Sequence, residues 1–160
     1  MNAFNMIDGI NGLCAGSALV MLLFTGFASN FIYDSMLVIL IGSMLGFSVF
    51  NLGIIGKKRG VFLGDHGSNF IGFVVAWVAI HCSQNEIYNL APMTTVWFVA
   101  IPLLDCIALI ISRTLRGISW AAPGRDHIHH KLMQKYSPEM SLFIILFFSS
   151  LLNLFGLYLE

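Results

Sequence analysis

Ser141-Leu-Phe-Ile-Ile-Leu-Phe-Phe-Ser-Ser-Leu-Leu-Asn-Leu-Phe-Gly-Leu-Tyr-Leu159 carries no charged side chain from end to end. As an α-helix it would reach roughly 28 Å, close to the bilayer hydrocarbon core of about 30 Å. Working outward, Leu13 to Ala28, Met36 to Ile55 and Asn69 to Ser83 are equally free of charge. Pro92 to Ser112 is as apolar except for Asp105. The chain of 160 residues is 58% hydrophobic and 10% charged, with a mean hydropathy of +0.84. A soluble domain of this length needs far more polar surface. The reading is an all-α, polytopic membrane helical bundle of about five transmembrane helices, with residues 1–160 forming a single membrane domain.

The charges give the orientation. All eight Lys and Arg fall in two segments: Lys57, Lys58 and Arg59, then Arg113, Arg116, Arg125, Lys131 and Lys135. The other connections, Ser29 to Ser35 and Gln84 to Ala91, contain none. Basic loops are retained on the cytoplasmic side, so both segments are expected there. Five spans then put the N-terminus in the cytoplasm and Glu160 outside. Asn69 to Ser83 is short for a span, roughly 22 Å. A re-entrant segment is the alternative, but it would set the two basic segments on opposite faces. A crossing helix is therefore expected, extended at its cytoplasmic end by Gly67 and Ser68. Cys14, Cys82 and Cys106 form no CxxC pair and no even-numbered set, so neither a zinc site nor a disulfide framework is implied. No basic region precedes the first apolar run, and no signal peptide is read.

Three polar segments carry the chemistry. In the first, Asn2, Asn5, Asp8 and Asn11 recur every third residue, a spacing that lines amides and one carboxylate along one stripe. Gly9 and Gly12 permit close backbone approach to a ligand. A plain N-cap at Asp8 or Asn11 would explain one of these residues, not four in register. The segment presses against the first span and calls for neighbours at the membrane surface. It reads as the middle of a larger protein.

The second segment is Phe62-Leu63-Gly64-Asp65-His66-Gly67-Ser68. A carboxylate between glycines, followed by Ser at a helix start, suits Mg²⁺ held against a diphosphate, because Mg²⁺ takes one or two protein carboxylates and fills its shell with water and phosphate oxygens. The helix N-terminus adds N–H groups and a favourable dipole. Simple helix capping by Asp65 or Ser68 is the competing explanation. The third segment is Arg125-Asp126-His127-Ile128-His129-His130, whose imidazoles and guanidinium suit phosphate oxygens or a metal. Zinc is the runner-up there, though no Cys stands nearby. His81, at the far end of the third span, reads as an interfacial side chain. Asp105 lies seven residues before Ser112, about 10 Å below the helix end. Two readings stand level for it: a functional carboxylate at membrane depth, or a buried hydrogen bond between helices.

The order NxxNxxDG-x-[DN]-G, FLGDHGS and RDHIHH resembles the polyprenyl-phosphate N-acetylhexosamine-1-phosphate transferases (glycosyltransferase family 4). IPLLD, RTLRGIS and HIHH bring it nearer to the bacterial UDP-N-acetylglucosamine:undecaprenyl-phosphate branch than to the phospho-N-acetylmuramoyl-pentapeptide branch. The resemblance runs over essentially the whole chain. It implies Mg²⁺-dependent (or Mn²⁺-dependent) transfer of sugar-1-phosphate from a UDP-N-acetylhexosamine to a membrane polyprenyl phosphate, releasing uridine monophosphate. This is the first step of lipid-linked glycan assembly for cell wall or lipopolysaccharide. By the same resemblance Asp65 holds the metal and Asp8 orients the lipid phosphate or assists as a base. Asn2 and Asn5 support that loop, with Gly64, Gly67 and Ser68 shaping the second motif. Phe62 stacks on uracil, Asn11 faces the nucleotide, and Arg125, His127, His129 and His130 hold the diphosphate. Asn11 and Gly124 each stand where Asp is usual, and Ser119-Trp120-Ala121 replaces Ser-Pro-Phe.

The family's earlier DDxx[DK] motif is absent, together with the spans that carry it. The expectation is a C-terminal portion, completed by N-terminal helices or by a homo-oligomer and inactive alone, in the bacterial inner membrane with its active-site loops cytoplasmic and no nucleic-acid partner. Two other classes compete: a non-catalytic membrane subunit or gene remnant, and a His-rich metal transporter. A transporter would need polar residues along several spans, and only Asp105 is available.

Overall fold

The computed structural model describes residues 1–29, 35–56, 60–85, 88, 90–119, 124 and 126–160, and over these it is all-helical. In chain order the elements are α1 (Asn2–Ile7), α2 (Leu13–Ala28), α3 (Ser35–Asn51), α4 (Gly64–Gln84), α5 (Pro92–Phe98), α6 (Ala100–Leu115), α7 (Ile128–Met133) and α8 (Pro138–Tyr158).

The start of α8 follows from local chemistry. Extended Ser137 accepts the Met140 N–H through its hydroxyl at 3.2 Å, Pro138 takes the first helical position and Glu139 sits in the first turn. Each choice satisfies or complements the unpaired N–H groups of a helix start. α4 runs for 21 residues, so the GDHGS motif is its first turn, not a loop ahead of it. The apolar stretch Asn69 to Ser83 underestimated that helix because its polar start is helical too.

The expected span Pro92 to Ser112 is broken. α5 and α6 meet at Val99 with a bend of 76°. Pro102 supplies the reason: its ring excludes an unbroken helix running back to the carbonyl of Phe98, four residues earlier. Starting a new helix at Ala100 places Pro102 in the first turn, where its missing N–H costs nothing. The carbonyls left at the break are met from α8. Fully buried Asn153, with its amide nitrogen turned towards them, donates to Trp97 O at 3.1 Å and Phe98 O at 3.2 Å.

α2 is the central helix. Its buried face carries Cys14, Ala15, Ser17, Ala18 and Met21, mostly small residues that let α3, α4 and α8 approach closely. Around it Val75 and Val78 of α4, Phe98 of α5 and Leu37 of α3 complete the core. The outward faces are apolar as well, including Phe70, Phe73, Phe143, Phe147, Phe148 and Leu154. A bundle apolar both inside and outside suits lipid. Among the described residues, α8 is the one helix that is by itself long and apolar enough to cross a bilayer. α5 and α6 qualify jointly, and α2 and α3 are apolar but shorter.

The helix order sorts the connections to two ends. The N-terminus of α2 meets the C-terminus of α3 through a hydrogen bond from Gly12 N–H to Asn51 Oδ1. α1 packs on the start of α4. At the opposite end Ala91 N–H donates to Glu160 Oε1 at 2.9 Å. The described residues of all three polar segments lie at the first end.

Candidate active site

α1 buries Phe4 and Ile7 against α4 and α6, which turns Asn5 towards the first turn of α4. Asn5 Nδ2 donates to Asp65 Oδ1 at 3.2 Å and to Ser68 Oγ at 2.9 Å. The Ser68 hydroxyl, fully buried, donates to the Asp65 carbonyl at 3.2 Å. Two motifs some 60 residues apart are thereby one polar unit. The stripe expected through Asn2, Asn5, Asp8 and Asn11 does not persist, because α1 ends at Ile7. Asp8 follows the helix and is half-buried; burial first, and then the negative charge of Asp65, raises its carboxyl above the usual range. Asn2 is exposed, and among the described residues it makes no side-chain hydrogen bond.

The turn after Asp8 runs over the third segment. A Cβ on Gly9 would collide with the His129 ring, so only glycine allows that approach. Gly12 then starts α2 with a φ of 85°, a left-handed conformation that glycine adopts freely. Asn51, which the sequence reading passed over, holds this turn in place. It accepts from Gly12 and donates to Val61 O at 2.8 Å, tying the first segment to the strand of chain before GDHGS. A lone Asn at the end of an apolar run was its only sequence signal. Beside it opens a groove of about 480 Å³ whose lining includes Asn11, Asn51, Phe62, Met133, Glu139 and Leu142. Phe62 borders it as a large apolar ring, 81% exposed. Gly64 has a positive φ of 65° at the helix start, and Gly67 lies under the Leu63 side chain.

His127 is the N-cap of α7, and His129 and His130 sit in its first turn. The three rings cluster, with centroids 5.5 Å apart for His127 and His129, stacked, and 4.2 Å for His129 and His130. His129 is 1% exposed, and among the described residues neither ring nitrogen has a hydrogen-bond partner. Burial first, then repulsion from His130 and His127, lowers its pKa to about 4 despite the opposing charge of Asp105. Asp105 itself reaches up from α6: its Oδ2 lies 2.8 Å from His127 Nδ1, and its Oδ1 accepts the Ile128 N–H at 2.8 Å. Nearby, buried Arg113 and exposed Arg116 both pair with Asp126, at 3.6 and 3.5 Å. Arg125 lies outside the described residues.

Asp8 and Gly9 are adjacent, so one turn joins a carboxylate pair to an imidazole cluster. The carboxylates suit a divalent cation: Asp65 is exposed, Asn5 engages one of its oxygens, and its charge burdens Asp8. Among the described residues no three His, Cys, Asp or Glu groups form a ready cation cage. That donor set fits Mg²⁺, which accepts one or two carboxylates and leaves the rest of its shell to phosphate and water.

Residues 1–83 match glycosyl transferase family 4. The chain is 37% identical over 150 residues to the undecaprenyl-phosphate alpha-N-acetylglucosaminyl 1-phosphate transferase of Escherichia coli (strain K12), covering 91% of this chain and 41% of that protein. The protein of the same name from Yersinia pestis is 34% identical over 164 residues, covering 98% of this chain and 44% of that one. A third, from Haemophilus influenzae, is 38% identical over 112 residues, covering 69% and 32%. The chain therefore spans well under half the length of the curated relatives it matches. With its motifs joined at one end of a helical bundle and its sequence matched over more than half its length, the chain belongs to glycosyl transferase family 4.

Proposed function

We propose that this chain carries the catalytic end of an enzyme that moves N-acetylhexosamine-1-phosphate from a UDP-sugar to a membrane polyprenyl phosphate. The observation that supports it best is the Asn5 amide bonded to both Asp65 and Ser68, which makes one site of the two motifs. In this reading an oxygen of the acceptor phosphate attacks the sugar-bearing phosphorus of the donor. The bond from that phosphorus to the oxygen of the uridine-side phosphate breaks, and uridine monophosphate leaves with its electron pair. Asp8 orients the acceptor phosphate or takes its remaining proton. His127, His129, His130 and Arg125 hold the donor diphosphate, while Phe62 and Asn11 border the groove that takes the uridine. Asp65 is the residue that would hold Mg²⁺, with Gly64, Gly67 and Ser68 shaping its surroundings. When bound, the ion supplies neutralisation of phosphate charge, the main need of such a transfer.

The placement proposed is the bacterial inner membrane, with α2, α3, α4, α5–α6 and α8 as five crossings and both the N-terminus and the site on the cytoplasmic side. The relatives' greater length supports a whole enzyme in which further helices pack on this chain. The test is to supply membranes carrying the chain and the N-terminal portion of the Escherichia coli relative with UDP-N-acetylglucosamine and undecaprenyl phosphate. Lipid-linked sugar and uridine monophosphate should form in equal amounts. Free sugar phosphate without a lipid product would refute the acceptor assignment.

A further inference from the structure

Asp105 stands 22 residues before His127, on a different helix, yet its carboxylate is the element that fixes the His cluster. α7 is short, and its N-cap gives it no side-chain hydrogen bond, because the His127 ring is turned away to Asp105. Asp105 supplies the cap from outside by accepting the Ile128 N–H, one of the donors that a helix start leaves unpaired. Its second oxygen meets His127 Nδ1 at the same length, 2.8 Å. A carboxylate that accepts from both groups keeps a hydrogen on Nδ1 and leaves Nε2 as the free end, where a second hydrogen can be donated to an anion. The fixed His127 ring stacks on His129, with planes 10° apart, and His129 lies against Gly9, next to Asp8. The orientation of one ring is thus carried towards the carboxylate pair.

We infer that Asp105 is a positioning residue of the site: by holding His127 Nδ1–H and the start of α7, it turns the ring so that Nε2–H can donate to the donor diphosphate. The inference rests on the proposed function for the identity of that diphosphate, but the hold on His127 is a separate physical claim. Asp105→Asn separates the two. The amide has nearly the same volume and its oxygen still accepts from Ile128, but its nitrogen donates to Nδ1, so the ring can no longer carry hydrogen on both nitrogens and meets the diphosphate without a positive charge.

The experiment combines ¹⁵N imidazole spectra with steady-state kinetics on membranes carrying this chain and the N-terminal portion of the Escherichia coli relative. The His127 signal is assigned by its loss in His127→Gln. Wild-type protein should show hydrogen on His127 Nδ1, and on both ring nitrogens with UDP-N-acetylglucosamine bound, whereas Asp105→Asn should show it on Nε2 alone. The variant should raise KM for UDP-N-acetylglucosamine on the order of 10- to 100-fold, with KM for undecaprenyl phosphate unchanged. Asp105→Glu, which keeps the acceptor, should recover part of the loss. Hydrogen on Nε2 alone in the wild type overturns the proposal with no variant needed. An inverted tautomer with unchanged donor KM overturns the positioning role alone. Wild-type protein that binds no UDP-sugar overturns the functional reading and the role together.

Discussion

Ser68 shows how much of the site rests on single atoms. Its hydroxyl receives the Asn5 amide and donates to the Asp65 carbonyl in a fully buried setting. Ser68→Ala would strip Asn5 of one acceptor and loosen the carboxylate it steadies. We expect kcat/KM for transfer to fall on the order of tenfold, with unchanged membrane insertion; full activity would detach Ser68 from the site. His129 makes a prediction about pH. Its folded pKa is about 4, below the ordinary imidazole value, so between these limits the unfolded chain binds more protons. Stability should be flat above neutrality and should fall as pH drops from about 6.5 towards 4. Thermal unfolding in detergent micelles should show that slope, and His129→Gln should flatten it. Asn5, Asp65 and the three His residues stood out in the sequence as candidates because polar residues are scarce in it. Their joining was not, since Asn5 with Ser68 and Asp105 with His127 are contacts between helices that no spacing encodes.

At the scale of elements, length and apolarity identify α8 and α2, while the start of α8 at Ser137-Pro138-Glu139, ahead of the apolar run from Ser141, appears only in the structure. The bend between α5 and α6 was also written in the chain, at Pro102, but uniform apolarity over Pro92 to Ser112 masked it. Asn153 was equally easy to pass over, a lone amide in an apolar helix whose purpose appears only once the broken carbonyls of Trp97 and Phe98 lie beside it. This gives a test of the break itself. Asn153→Leu should destabilise the bundle by about 1–2 kcal/mol, the cost of leaving a buried carbonyl unpaired. Replacing Pro102 by Ala in the same background should recover part of that loss by letting the helix straighten. Thermal unfolding of the single and double variants measures both, and an undiminished melting temperature for Asn153→Leu would remove Asn153 from the account.

For the whole molecule, the sorting of connections to two ends makes topology testable without activity. A cysteine introduced at Gln84 or Ala91 should react with an impermeant thiol reagent from outside the cell, and one at Gln134 should not. External labelling at Gln134 would reverse the proposed orientation. Because this chain covers 41% of its Escherichia coli relative, we expect it to insert alone without transferring sugar phosphate, and to gain activity when the relative's N-terminal portion is supplied. The proposed function rests on Asp65 organising a Mg²⁺-dependent phosphoryl transfer at the motif end of the bundle. Its most direct test is lipid-linked N-acetylglucosamine formed by such combined membranes across a Mg²⁺ titration, for wild type and Asp65→Asn at equal protein level. Product should rise with Mg²⁺ for the wild type and be absent for Asp65→Asn at any concentration; wild-type-like product from Asp65→Asn at saturating Mg²⁺ would remove Asp65 from the site.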